Sequence, residues 1–405
     1  MIARVLPSHH LFSYIVEIFP LIIPETKMAG AWPDIMKTTP RDLHPLLINR
    51  LNPGRAIAII GPKGVGKTHL LKQIKEQYDK NCLYLNAGKE KERMKLQNGR
   101  MATHGVLPSF VIIDEAYHLY PFRDTLEQLM RQSPYTRFLL SFESESQCNH
   151  DEDPFAMYNL YPLTEQEYRQ FYETPAKMDL LSERLIYGNY PRLLHLKTKK
   201  EKQQYLSGII NHYLQEGLLH KDKQTKPGKD MQLLRMLSFL VGQEIFYREL
   251  EQKISLSRKS IAFFIQKLTQ MNLIFQLQGY KKNLKKEVGK HAALYFMDNG
   301  IRNAIINNFN PIRIRNDLDK LWKNYLISER IKQQHYKNLK VNNFFWRTYD
   351  QQELDWVEEC QGQLTGYYFS LDNNHSRPPS AWRRAYPHAG FRVISPDNYR
   401  EWIVR

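Results

Sequence analysis

A chain of 405 residues exceeds one ordinary domain and points to two or three, and its 42% hydrophobic and 25% charged residues exclude a disordered, collagen-like or low-complexity polypeptide. The 58 Lys and Arg against 42 Asp and Glu give a net charge of +16, which favours a polyanionic partner without naming one. Three scattered cysteines, Cys82, Cys148 and Cys360, make neither a C-x-x-C pair nor a Cys/His cluster, so neither a disulfide framework nor a structural zinc site is expected.

Residues 1–48 read as an N-terminal extension. The apolar run from His10 to Pro24 is interrupted by Glu17 and lacks the charged flank and small-residue cleavage site of a secretion signal. It reads as a buried or peripheral helix. No run reaches the roughly 18 apolar residues of a membrane span, so the expected location is the cytoplasm, with no membrane partner. Met28 and Met36 serve equally well as start residues.

Residues 49–180 carry the strongest signal. The apolar run Ala56–Ile60 leads into Gly61-Pro62-Lys63-Gly64-Val65-Gly66-Lys67-Thr68, and a helical pattern follows from His69 to Ile74. Strand, glycine loop and helix form the context that a G-x-x-x-x-G-K-[ST] match requires. Gly61, Gly64 and Gly66 permit backbone conformations that turn successive N–H groups of this loop onto phosphate oxygens at a helix N-terminus. Lys67 is expected to bridge the β and γ phosphates of ATP, and Thr68 to offer its hydroxyl to Mg²⁺.

A second apolar strand, Phe110–Ile113, ends in Asp114-Glu115, with Asp114 standing 47 positions after Lys67. Two carboxylates at the end of a buried strand need a partner to offset their desolvation. Asp114 fits the Mg²⁺ shell and Glu115 a base that polarises attacking water. Glu directly after Asp favours an ATPase over a GTPase switch. Cys82–Leu85 and Arg137–Ser141 read as further strands of a parallel sheet wound on both sides by helices. Ser141 then stands at a strand end suited to sensing a γ-phosphate, or is a plain strand-terminal serine.

Residues 181–229 read as a helical segment with an amphipathic pattern through Tyr205, Ile209, Ile210, Tyr213 and Leu214, followed by the polar linker Lys221–Lys229. Upstream of it, Thr164 and Glu167 suit a helix N-cap and its third position. In 230–310 three helices are predicted, over Met231–Val241, Tyr247–Lys253 and a third opened by Ser257 as N-cap and running to Leu268. Two strands follow, Leu273–Leu277 and Ala293–Met297, joined by Lys281, Lys282, Lys285, Lys286, Lys290 and His291. This is the plan of a winged helix-turn-helix. Arg258 and Lys259 on the third helix, with Lys281, Lys282, Lys285 and Lys286 on the hairpin, are the candidate contacts to double-stranded DNA. The alternative is a packing module whose lysines face solvent or a protein partner. From Lys221 to Lys290 there are fifteen Lys and Arg against six Asp and Glu, so this module holds most of the net charge.

In this order the motifs resemble the prokaryotic AAA ATPases of the archaeal-ATPase kind. The resemblance covers Asn49 to Trp402 and rests on GPKGVGKT at 61–68, VIIDEAYHL at 111–119, LYPLT at 160–164, YGNYP at 187–191, LSRKSIAFFIQKL at 256–268 and LYFMDNGIRNAII at 294–306. It implies an α/β P-loop domain, a winged helix and, over 311–405, an α+β domain that resembles a restriction-endonuclease core. The nuclease relatives need a helix Glu, a strand Asp and a Glu-x-Lys on the next strand. Here Asp355 matches the strand acid, while Lys323 replaces the helix Glu and Tyr368 and Ser370 replace Glu-x-Lys. A nuclease-dead domain is expected. The family resemblance also implies an arginine between the sensor strand and the Tyr-Pro-Leu motif. Residues 142–161 hold no Arg or Lys, which leaves Arg137 and Arg192 as substitutes and implies slow hydrolysis. Two functions follow: an ATPase coupling nucleotide state to a DNA-contacting module, or a nucleotide-gated scaffold for a protein partner. The sequence leaves the oligomeric state open.

Overall fold

The computed structural model describes residues 41–78, 81–97, 108–148, 155–171, 181–215, 228–281, 292–372 and 377–404. In the N-terminal part, helix α1 (Leu43–Arg50) precedes strand β1 (Ala56–Ile60), which runs through the glycine loop into α2 (Lys67–Gln77). Then follow β2 (Cys82–Asn86), α3 (Glu90–Gln97), β3 (Phe110–Asp114), α4 (Phe122–Gln132), β4 (Arg137–Phe142), β5 (Phe155–Asn159) and α5 (Glu165–Phe171). The strands form a five-stranded sheet in the order β2-β3-β4-β1-β5, and every pairing is parallel.

All five residues of β1 and of β3 are buried, as expected for strands covered on both faces. Alternation along β1 divides its side chains between two cores. Ala56, Ala58 and Ile60 pack with Leu96, Leu126 and Leu129 of α3 and α4, while Ile57 and Ile59 pack with Leu43, Leu47, Leu70, Leu71 and Ile74 of α1 and α2. The sheet is thus wound on both sides. Because β4 lies between β1 and β3, its C-terminal end stands between the glycine loop and the acidic pair.

Beyond residue 180 come α6 (Leu181–Tyr187), α7 (Lys199–Gln215), α8 (Lys229–Phe239), α9 (Tyr247–Ile254) and α10 (Arg258–Gln270). The Ser257 hydroxyl caps α10 by accepting from Ser260 N at 3.2 Å. Strands β6 (Ile274–Gly279) and β7 (Ala293–Phe296) form an antiparallel hairpin. The chain continues through α11 (Asn299–Ile305), α12 (Leu318–Tyr336), β8 (Asn342–Arg347), β9 (Glu353–Cys360), β10 (Gln363–Phe369), α13 (Ser380–Ala385), β11 (Gly390–Ile394) and α14 (Tyr399–Val404).

The hairpin is continuous with a larger sheet. β6 also pairs in parallel with β8, so one six-stranded sheet runs β11-β10-β9-β8-β6-β7. Among the described residues a single hydrophobic core extends from Leu181 to Ile403. The linker expected at 221–229 lies almost wholly outside the described residues. Among the described residues no helix is long and apolar enough to cross a membrane.

Candidate nucleotide site

The glycine loop is fixed at its base by close backbone packing: a side chain at Gly61 would lie 2.3 Å from the Leu160 carbonyl oxygen. Gly64 and Gly66 adopt φ of +81° and +100°, a region that L side chains occupy only under strain. Gly66 is the N-cap of α2, so the loop delivers its amides to a helix N-terminus. The Lys67 ammonium folds back over the loop and donates to the carbonyls of Gly61 at 2.6 Å and Pro62 at 3.2 Å. Burial lowers its pKa below that of ordinary lysine, against the attraction of Glu143, Asp114 and Glu115. An ammonium whose direct partners among the described residues are two neutral carbonyls is a poised anion receptor.

Asp114 is fully buried and surrounded by donors. Its Oδ2 accepts from the Thr68 hydroxyl at 2.6 Å and the Tyr84 hydroxyl at 2.8 Å; its Oδ1 accepts from the Ser141 hydroxyl at 2.5 Å and Glu115 N at 3.2 Å. Ser141 Oγ in turn accepts from Glu115 N at 2.8 Å. Glu115 sits at φ 55°, an uncommon conformation for a residue with a side chain. Its carboxylate lies against Gly88, where an added Cβ would come within 2.3 Å of Glu115 Oε2. Thr68, Asp114, Glu115 and Ser141, read separately from the sequence, therefore form one contact group.

Tyr84 escaped the sequence reading. Its signal was a polar ring on a strand beside the acid-bearing one. Burial and the neighbouring Asp114 push its phenol pKa well up, which keeps it a donor.

Thr68 and Asp114 offer hard oxygen ligands, and no group of three or more His, Cys, Asp or Glu able to hold a metal occurs among the described residues. Such a sparse oxygen set suits Mg²⁺, which takes one or two protein oxygens and completes its shell with phosphate and water.

Helix α7 crosses the loop. Tyr205 OH donates to the Gly64 carbonyl at 3.3 Å, Tyr213 OH accepts from Lys63 N at 2.5 Å, and His212 Nδ1 lies 2.9 Å from Lys63 Nζ. Lys63 was expected to turn its amide onto phosphate; here Tyr213 takes that amide, because α7 packs its 205, 209 and 213 face onto this side of the loop. Pro62 has no N–H, and its contribution is the carbonyl that accepts Lys67. His212 Nε2 also lies 3.5 Å from Glu143 Oε2. Arg137 is remote: it begins β4 and donates to the Leu51 carbonyl at 3.1 Å, at the opposite sheet end from Ser141. Arg192 is close, since Pro191 beside it would stand 3.6 Å from a Cβ on Gly66 and its guanidinium lies 5.4 Å over the Tyr205 ring.

Of the basic residues assigned to nucleic acid, Arg258, Lys259 and Lys281 are exposed, while Lys282, Lys285 and Lys286 lie outside the described residues. Arg258 begins α10 and stacks 5.4 Å over Tyr247. The other end of α10 is turned to the N-terminal sheet, with Lys267 Nζ 3.0 Å from Ser146 Oγ. In the C-terminal part, Lys323 Nζ pairs with Asp355 at 2.8 Å and Asp319 at 3.4 Å and lies 6.0 Å from the Tyr368 ring centre. Asp355 also accepts from Phe369 N at 2.7 Å. Ser370 bonds instead to Asp372 Oδ1 at 2.8 Å.

Family models match three consecutive stretches: an AAA domain over residues 53–169, the domain of unknown function DUF8612 over 178–311 and the domain of unknown function DUF4143 over 318–398. No curated protein matches the chain. Among solved structures, the Thermotoga maritima RuvB Holliday junction branch migration motor is 14% identical over 55% of this chain and 82% of its own, at TM-score 0.30. Cdc6p from Pyrobaculum aerophilum is 14% identical over 68% of this chain and 96% of its own, at TM-score 0.28, and Drosophila ORC bound to DNA is 11% identical over 76% and 95%, at TM-score 0.24. Likenesses at such TM-scores carry no weight of their own. The AAA match coincides with the parallel sheet, the glycine loop and the Asp114 cluster, so residues 53–169 are similar to an AAA domain in sequence and carry a parallel α/β sheet consistent with a P-loop fold.

Proposed function

We propose that this chain is an ATP-binding, Mg²⁺-dependent ATPase whose nucleotide state is transmitted to a DNA-contacting C-terminal part. The single observation that carries it is the Thr68–Asp114–Ser141–Glu115 contact group beside the Lys67 ammonium. Lys67 and the amides of Gly64, Gly66, Lys67 and Thr68 hold the phosphates, the Val65 amide being bonded to the Pro62 carbonyl at 3.3 Å. Thr68 and Asp114 hold Mg²⁺, which would neutralise charge on the transferring phosphoryl group. Glu115 polarises the attacking water, and Ser141 keeps Asp114 and the Glu115 backbone in register. Arg192, exposed at the loop mouth, is the candidate positive charge in place of the arginine missing from 142–161. Helix α7 supports coupling, because its residues touch the loop directly and belong to the core shared with the C-terminal sheet.

The three helices and hairpin fit the winged helix-turn-helix plan, with the exposed N-terminus of α10 as the face for a DNA groove. The C-terminal fold fits a nuclease-like core that has lost its metal, since an ammonium stands on Asp355. A second reading, a nucleotide-gated scaffold with little turnover, is favoured by the remoteness of Arg137; such an arginine can supply about 10³–10⁵ in rate. Phosphate release measured with and without duplex DNA decides between them. Turnover that DNA stimulates supports the coupled ATPase, whereas tight ATP binding with turnover near background supports the scaffold.

A further inference from the structure

Arg41 directly precedes Asp42, the N-cap of α1, is only 6% exposed, and spends its guanidinium on three separate elements. Nε donates to Glu167 Oε1 at 3.1 Å, one terminal nitrogen donates to the Val65 carbonyl at 2.8 Å, and the other donates to the Tyr161 carbonyl at 2.6 Å. Glu167 is itself immobilised, accepting from Asp42 N at 2.6 Å and Thr164 N at 2.9 Å. The preceding peptide, Leu160–Tyr161, is pinned as well, because Tyr161 N donates to Tyr336 OH at 3.0 Å. The guanidinium is therefore a fixed strut with one end on the glycine loop.

Its effect on the loop follows from peptide geometry. In one planar peptide the carbonyl of Val65 and the N–H of Gly66 point in opposite directions. Holding the carbonyl against Arg41 keeps the Gly66 N–H turned to the other side of the loop. Glycine at φ +100° has little intrinsic resistance to a flip of this peptide, and a flip would put a carbonyl dipole where an anion needs a donor. A Cβ on Gly66 would approach the guanidinium to 3.3 Å, so loop and strut are fitted to one another.

We propose that Arg41 is a positioning residue for the phosphate loop, holding the Val65–Gly66 peptide in its anion-binding orientation. This rests on the nucleotide reading of the loop. Removing Arg41 alone would leave Glu167 as an unpaired buried carboxylate, so the informative variant is Arg41→Met/Glu167→Gln, studied in the full chain beside Arg41→Lys. The probes are titration with a fluorescent ADP analogue, thermal melting, and amide hydrogen exchange of residues 61–70 without nucleotide. The double variant is expected to melt near the wild type, to bind ADP about tenfold to a hundredfold more weakly, and to exchange faster at Gly66 and Lys67. Arg41→Lys, whose single ammonium cannot span three acceptors, is expected to keep the melting temperature without recovering the affinity. A folded double variant with wild-type affinity, or with unchanged exchange in the loop, overturns the proposal and leaves the nucleotide reading intact. A wild-type chain that binds no ADP overturns both.

Discussion

The Thr68 hydroxyl donates to Asp114 Oδ2 at 2.6 Å, across 46 residues of sequence, and thereby ties the first turn of α2 to the end of β3. On the proposed reading these two oxygens would hold Mg²⁺ when nucleotide is bound, so losing either should affect turnover more than binding. Thr68→Val and Asp114→Asn are expected to bind ATP in the absence of Mg²⁺ nearly as well as wild type but to lose Mg²⁺-dependent turnover. Glu115→Gln should retain binding and lose about 10²–10⁴ in turnover, the usual share of a general base. Lys67→Ala should lose binding itself. Nucleotide titration paired with phosphate release separates the three classes, and a Glu115→Gln variant with undiminished turnover would remove Glu115 from the catalytic assignment.

Tyr84 donates to the same Asp114 oxygen at 2.8 Å. Partners that orient a metal-binding carboxylate are commonly worth about 10–100-fold in metal affinity. Tyr84→Phe should therefore raise the Mg²⁺ concentration needed for half-maximal turnover by about tenfold, with turnover at saturating Mg²⁺ near wild type. A Mg²⁺ titration of phosphate release reads this directly, and an unshifted curve would reduce Tyr84 to packing.

The glycine loop and the acidic strand end were legible because local chemistry dictates them: glycines where φ is positive, a Lys and Thr opening a helix, carboxylates closing a buried strand. The N-cap at Ser257 and the three helices of 229–270 were legible for the same local reason. What the sequence could not reveal were contacts made over long separations. Arg41 reaches Val65 and Glu167 through tertiary packing alone, and Tyr213 claims the Lys63 amide from 150 residues away. The hairpin reads as an isolated wing because nothing in Ile274–Gly279 announces that β8 will pair with its other edge. Nor could Lys323 be known to touch Asp355 until α12 was laid against β9.

Asp42 is half-buried beside Glu167, with Thr164 Oγ1 donating to its Oδ2 at 3.1 Å. Burial and the Glu167 charge push its carboxyl up to about 6, against the Thr164 hydrogen bond and Arg41, with Glu329 adding to the rise. An unfolded Asp titrates near 3.9, so the folded chain binds the extra proton between the two values. By linkage, this group adds stability as pH falls from about 6 towards 4 and opposes folding above pH 6. Asp42→Asn should raise the melting temperature at pH 7.5 and flatten its dependence between pH 4 and 6. Parallel wild-type and variant melting curves across that window would overturn the assignment.

Lys323 and Asp355 form a largely buried pair at 2.8 Å. Burial disfavours the ammonium, but Asp355 and Asp319 outweigh it and raise its pKa. Breaking such a pair leaves a bare buried charge and commonly costs about 3–5 kcal/mol, whereas removing both charges is often neutral. Lys323→Met should therefore lower stability by about that amount, and Lys323→Met/Asp355→Asn should recover most of it. Denaturant unfolding of both variants checks the ordering. The same pairing predicts no Mg²⁺-dependent DNA cleavage by the wild type, and cleavage that disappears in Asp355→Ala would reverse the reading of a nuclease-dead centre.

The α10 helix presents its two ends differently. At its C-terminal end Lys267 is engaged with Ser146 at 3.0 Å, whereas Arg258 and Lys259 at the N-terminus are exposed. If DNA enters here, the phosphate contacts come from this free end. Each contact contributes about 0.9 to the slope of log affinity against log salt, so Arg258→Gln/Lys259→Gln should weaken duplex binding and reduce that slope by about two. Lys267→Gln should leave the slope unchanged, since its ammonium faces the N-terminal sheet. Fluorescence anisotropy of a labelled duplex at several salt concentrations provides the measurement. A wild-type chain whose duplex binding shows no salt dependence would assign the exposed basic end to a protein partner instead.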